Sequence, residues 1–146
     1  MSFEIINQKF INHQLNKSKI LKIADIIFKN EKIFFEKINI ILEDDKYLLS
    51  LKNQYFNQNV YTDVIAFNLA DSGQPIDGEI YISLPRIIDN ANEYNSNLND
   101  EFKRIIIHGL LHLAGYDDQT VSDKKHMTDL ENQYISINSG IIITYE

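Results

Sequence analysis

Apolar positions in the first half of the chain switch between a helical period of roughly 3.6 residues and the shorter apolar runs typical of strands. Phe3 to Ile6 predicts a first strand. Asn16 or Ser18 can cap a helix in which Ile20, Ile23, Ala24 and Ile27 recur at helical spacing as far as about Asn30. Lys37 to Glu43 carries Ile38, Ile40, Ile41 and Leu42, a β-branched run that predicts a buried strand. Asp44 or Asp45 can cap a short helix through Tyr55, and Phe56 to Asn59 reads as a polar turn.

Asp63 to Leu69 predicts another strand, and Asp71 to Pro75 a turn or hairpin connection. Gly78 to Ser83 is a compact strand with alternating faces. Pro85 suits the first turn of a helix whose apolar side is Ile87, Ile88 and Ala91. After a polar break from Asn92 to Asp100, Asn99 or Asp100 can cap a helix from about Glu101 to Ala114. Phe102, Ile105, Ile106, Leu110 and Leu113 form its core stripe, and Gly115 ends it. A last helix runs from Ser122 or Asp123 to about Ile137, and Ile141 to Tyr145 is a short terminal strand or a loose end. There is no internal repeat, linker or low-complexity segment. The expectation is one domain over residues 1–146 of α/β (α+β) class, a mixed sheet of about four strands flanked by helices.

Composition narrows the chemistry. A length of 146 residues suits one domain with a real core. The absence of cysteine excludes disulfide scaffolds, Cys-rich zinc fingers and thiol nucleophiles. With 14 Lys+Arg against 21 Asp+Glu the net charge is −7, so nucleic-acid binding needs a local patch or a bound metal. The opening Met1-Ser2-Phe3-Glu4 lacks the basic and apolar regions of a secretory signal. No apolar run approaches the roughly 20 residues of a membrane helix. The expectation is a cytoplasmic protein.

The informative stretch is His108 to Asp118. His108 and His112 lie four residues apart on a predicted helix, which puts both imidazoles on one face. Zinc hydrolases use that spacing to hold one metal from a single helix. Gly115 turns the chain out of the helix, and Asp118 is near enough in sequence to reach back. Two His and one carboxylate, with a fourth place left for water, is a known catalytic zinc arrangement. Zinc peptidases carry a glutamate base after the first ligand; this chain has Gly109. Asp117 and Asp63 are the candidates for a base or supporting role, although Asp117 also reads as a turn residue and Asp63 as a strand-start residue. His126 is the alternative third ligand if Asp118 points away, and His13 is too remote in sequence to place.

The same stretch resembles the YbeY endoribonucleases, whose motif reads His-Gly-x-x-His-Leu-x-Gly-Tyr-Asp-His. The match runs from His108 through Asp117, and Asp118 stands where the family has a third histidine. Thr62-Asp63-Val64-Ile65-Ala66-Phe67 is similar to the family's Thr-Asp-Val-Leu-Ser-Phe segment, and Gly78-Glu79-Ile80 to its Gly-Asp-Ile strand. The resemblance implies one zinc ion held by His108 and His112 directly and by Asp118 by position. It implies an endoribonuclease selective for single-stranded RNA, acting in 3′ end maturation of small-subunit ribosomal RNA and in ribosome quality control. Ribosomal RNA and the ribosome are the implied partners. Two positions depart from the family. Asp118 lowers the charge of the site by one relative to a histidine, and Phe56 stands where the family usually has an arginine. Arg86, Lys103, Arg104, Lys124 and Lys125 are the candidate phosphate-binding cations by sequence region. Two other readings share the residues: a zinc peptidase of metzincin type, which Gly109 argues against, and a non-catalytic, metal-stabilised ribosome assembly factor. Two His and one Asp also tolerate other first-row ions.

Overall fold

The computed structural model describes residues 1–146. The chain runs β1 (Ser2–Ile6), β2 (His13–Leu15), α1 (Lys17–Asn30), β3 (Phe35–Glu43), α2 (Asp45–Phe56), β4 (Val64–Asn68), β5 (Ile76–Ser83), α3 (Leu84–Glu93), α4 (Leu98–Leu113), α5 (Val121–Ser136) and β6 (Ile143–Tyr145). Four strands form one mixed sheet in the order β1-β3-β5-β4. The β1–β3 and β3–β5 pairs are parallel, and β4 runs antiparallel to β5 at the edge. This is the expected α+β fold of a four-stranded mixed sheet with helices.

Strand alternation gives the sheet two apolar faces. Ile38, Ile40, Leu42, Ile80 and Ile82 join the large core with α1, α3 and α4. Ile65 faces the other way and packs on Leu48 and Leu51 of α2, beside Phe67 and Tyr81. Both sides of the sheet are therefore covered, which suits its parallel pairs.

Several boundaries differ from the sequence expectation. The cap of α4 is Asn97, not Asn99 or Asp100: its Oδ1 accepts from the Asp100 N–H at 2.8 Å. Asn99 is used otherwise, accepting from the Ile142 N–H at 2.7 Å and donating to the Gly140 carbonyl at 3.1 Å. Thr120, not Ser122 or Asp123, caps α5 through a 3.0 Å bond from the Asp123 N–H. The tail forms the strand β6, paired with β2 in a separate two-stranded ribbon. Strand β2 has no signal in the apolar pattern, because three residues including His13 and Gln14 carry no apolar alternation.

Helix α4 is what positions the chemistry. Every residue from Phe102 to Leu113 is buried except Arg104, His108 and His112. These three follow one another at intervals of four, so they form a single polar stripe on an otherwise embedded helix. Lys103 is buried too, its Nζ donating to the Asn138 and Gly140 carbonyls at 2.8 Å each. It ties the tail to α4 and is not free to meet a phosphate.

The helix lies so close to β5 that a Cβ on Gly109 would stand 2.9 Å from Cγ2 of Ile80 and 3.5 Å from Cγ2 of Val64. Glycine is required there by contact. The direction that a peptidase's glutamate would need is filled by the sheet. Gly109→Glu therefore overpacks the interface and buries an unpartnered carboxylate, costing at least about 3 kcal/mol. Thermal denaturation should show a fall in Tm of roughly 6 °C or more.

Candidate metal centre

Gly115, at φ 104°, adopts the left-handed conformation that ends α4. Its N–H donates to the His112 carbonyl at 3.0 Å and the Tyr116 N–H to the Leu111 carbonyl at 3.1 Å, reversing the chain. Asp117 Oδ1 then accepts from the Asp118 N–H at 2.8 Å, and the Asp118 carboxylate returns to the helix. Its Oδ2 lies 3.3 Å from His108 Nε2 and 3.5 Å from His112 Nε2, while the two Nε2 atoms are 3.0 Å apart. Ligand atoms about 2.0–2.1 Å from a tetrahedral zinc stand about 3.3 Å from one another. The triangle fits that size. His108, His112 and Asp118 are the single group of three or more potential ligand side chains that converges in the chain.

The donor chemistry makes the same case independently. The His108 Nδ1–H donates to Glu131 Oε2 at 2.6 Å, and the His112 Nδ1–H donates to the Tyr116 carbonyl at 2.9 Å. A carbonyl or carboxylate oxygen only accepts, so each ring in its neutral form carries its proton on Nδ1 and turns a bare Nε2 inward. Two lone pairs and a carboxylate oxygen then face one another with no donor among them. That arrangement calls for a cation. Acceptors behind histidine ligands are the usual means of fixing tautomer and aim.

Charge in the surroundings acts on these groups. Burial pushes His108 down, but its bond to Glu131 and the charges of Glu131, Asp118 and Asp63 outweigh that and hold it above its ordinary 6.5. Burial pushes the Asp63 carboxyl up, against the opposing pull of His108 and of its backbone bonds. Asp63 precedes β4 and receives a 3.4 Å bond from Asn90 Nδ2. The Tyr116 phenol donates to Glu31 at 2.7 Å and is pushed up to about 12 by that bond and by burial.

The remaining candidates divide: Asp117, Arg104 and Lys124 line the hollows around the three side chains, whereas the others lie elsewhere. His126 is on the exposed side of α5 with its ring against Tyr116 at 5.5 Å, and Asp118, not His126, completes the triangle. His13 packs on Tyr145 in the small ribbon. Asp117 lies in the turn with one carboxylate oxygen committed to the backbone. Arg86 is paired with Asp45 at 2.7 Å, Arg104 with Glu131 at 2.9 Å and Lys125 with Asp129 at 3.0 Å; Lys124 forms no ion pair. Sequence reasoning missed Glu131. Its signal was an acid at core-facing spacing between Met127 and Tyr134, where it is 6% exposed.

A mixed sheet carries a helix-borne pair of histidines and a returning carboxylate that together could hold a metal ion. Residues 3–138 match the family described as Endoribonuclease YbeY, and the chain belongs to that family. It is 37% identical over 123 residues to the Endoribonuclease YbeY of Karelsulcia muelleri, covering 84% of this chain and 86% of that one. It is 35% identical over 132 residues to that of Chloroherpeton thalassium, covering 90% and 93%. The solution structure of TM1509 from Thermotoga maritima superposes with a TM-score of 0.59 at 26% identity, covering 92% of this chain and 87% of that one.

Glu131→Gln keeps an acceptor for His108 but removes its charge, and should weaken divalent-metal affinity about 10- to 100-fold in a chelator competition titration. Protons compete with metal for His108. Because its pKa is raised in the metal-free protein, apparent metal affinity in a chelator competition should begin to weaken at a higher pH than for an ordinary histidine ligand. In the metal-free protein the sign reverses. The stabilisation from the His108–Glu131 pair is full below the unfolded-state pKa and fades as pH rises through the raised one.

Proposed function

We propose that this chain is a zinc-dependent endoribonuclease selective for single-stranded RNA. It acts in 3′ end maturation of small-subunit ribosomal RNA and in ribosome quality control in the cytoplasm. The observation that carries the reading is the convergence of three acceptor atoms with no donor, on a chain of the YbeY family. His108, His112 and Asp118 hold the ion. When bound, zinc supplies Lewis acidity towards phosphoryl oxygens and makes water nucleophilic near neutral pH.

The chain's own residues do the rest. Glu131 and the Tyr116 carbonyl aim the two rings. Asp117 holds the turn that returns Asp118 to the helix. Asp63, raised by burial and lining the same hollows as His108, is the side chain suited to exchange a proton with the substrate. Hollows of about 420 and 380 Å³ meet at Asp63, His108 and Asp118, which leaves the centre open on two sides.

That openness separates the enzyme from the alternatives. A purely structural zinc is closed by four protein ligands, whereas three side chains converge here and Asp118 keeps 37% of its side-chain surface. The assembly-factor reading lacks the closing ligand. The peptidase reading lacks the glutamate that follows its first histidine, because Gly109 stands there and faces Ile80. His108→Ala should lose zinc in elemental analysis and lower cleavage of single-stranded RNA at least about 100-fold. Glu131 keeps Arg104 as its partner, so circular dichroism should show the variant folded. Undiminished cleavage by folded, zinc-free protein would reject the assignment.

A further inference from the structure

The hollow that contains His112 also reaches Lys52 and Phe56 at the end of α2. Phe56 is 43% exposed. Its ring lies nearly parallel to that of Phe67, with centroids 5.8 Å apart and planes at 19°. Phe67 is braced edge-on by Tyr55 at 5.3 Å and Tyr81 at 6.0 Å. Asn57, at φ 52°, ends the helix immediately afterwards, and its N–H bonds back to the Lys52 carbonyl. The phenyl ring is therefore held by packing on one side and by a helix cap behind it. The core beneath does not need it, since Leu48, Leu51 and Ile65 close with Phe67 and Tyr81. Lys52, one turn earlier, has its ammonium 4.7 Å from the ring centroid.

A solvent-facing ring braced by packing, with a lysine ammonium beside it in the same hollow as a phosphodiester-directed centre, matches the two halves of a nucleotide. We infer that Phe56 and Lys52 form a base-stacking subsite for a nucleotide neighbouring the scissile phosphate, an inference that rests on the nuclease reading above. The base lies on the Phe56 ring, and the Lys52 ammonium exchanges the ring for the adjacent phosphate. Every base has a π-face, so the subsite tolerates sequence. A duplex keeps its bases stacked on one another, so only an unpaired strand can offer one to the ring. The subsite thus gives single-strand selectivity a physical cause. On an acidic chain the affinity must come from local contacts such as this and from Lys124, which forms no ion pair and lines the hollow on the opposite side of the centre.

The test uses zinc-loaded protein and a short single-stranded RNA with an abasic nucleotide placed in turn at each position around the cut. In the wild type one position should raise KM roughly 5- to 100-fold when its base is missing, the span of one base–ring stack. Phe56→Ala should raise KM by a similar factor on intact RNA and become insensitive to that position, with metal content unchanged. Phe56→Trp should keep the sensitivity. Phe56→Leu, which retains apolar bulk without a π-face, should lose it. 2-Aminopurine at the same position should be quenched on binding to wild type and not to Phe56→Ala. If wild type and Phe56→Ala cleave RNA with the same dependence on every abasic position, the subsite is wrong and the nuclease reading stands. If the strand binds with Phe56-dependent quenching but is not cut, the subsite stands and the nuclease reading falls. If the wild type neither binds nor cuts RNA, or if Phe56 instead governs binding of an aromatic peptide, the inference is overturned.

Discussion

The contact between Gly109 and Ile80 governs the rest of the structure. Without a Cβ in the way, α4 lies directly on β5 and is enclosed by sheet and neighbouring helices. Each buried Ile or Leu on that helix contributes roughly 1.5–3 kcal/mol relative to exposure. Six Ile and Leu residues of α4 are buried in this way, together with Phe102, and rotating the helix would expose many of them at once. The direction of the polar stripe is therefore fixed by apolar packing. His108 and His112 are aimed by forces that act on their neighbours, which is how a site gains rigidity without stiff loops around it.

The burial that aims the stripe also demands charge compensation. Glu131 is almost wholly buried, and a carboxylate there needs partners. It has two, Arg104 at 2.9 Å on one oxygen and His108 at 2.6 Å on the other. With Arg104 positive and Glu131, Asp118 and Asp63 negative, neutral histidines leave the surroundings at −2, a charge that a divalent ion would neutralise. The chain as a whole is at −7, so attraction of a phosphate would be local, confined to a bound ion and a few unpaired cations. An acidic exterior then disfavours non-specific RNA binding elsewhere on the surface.

The long elements were legible because their apolar spacing is dictated by burial: the stripe from Phe102 to Leu113 is the face that meets the sheet, and Ile38, Ile40 and Leu42 are one face of a strand. The triad was legible because its members lie within eleven residues and the intervening glycine forces the turn. Helix starts were misplaced where several capping residues compete. Asn97, Asn99 and Asp100 are all competent caps, and a remote contact decides: Asn99 is taken by the backbone at Gly140 and Ile142. Glu131 and the Tyr116 carbonyl escaped notice for different reasons. One is 23 residues from the histidine it holds, and the other is a backbone atom with no side-chain signature. Of the candidate cations, sequence could not say which were already taken; Lys103, Arg86 and Arg104 all are.

The two imidazoles are restrained from opposite ends of the chain. His108 is held by Glu131 of α5. His112 is held by the Tyr116 carbonyl, and the Tyr116 phenol is anchored on Glu31 at the end of α1, which Tyr134 of α5 also meets at 3.0 Å. Helices α4 and α5 and the distant α1 must therefore dock before both Nε2 lone pairs face the same point. A chain that has not folded offers a metal two flexible histidines and a carboxylate; the native chain offers them already aimed. Any affinity gained by that pre-organisation would be affinity for the native state over the unfolded one, so binding of a metal would reinforce the docking of α1, α4 and α5. The centre is as much a product of the tertiary fold as of the helix that carries its histidines.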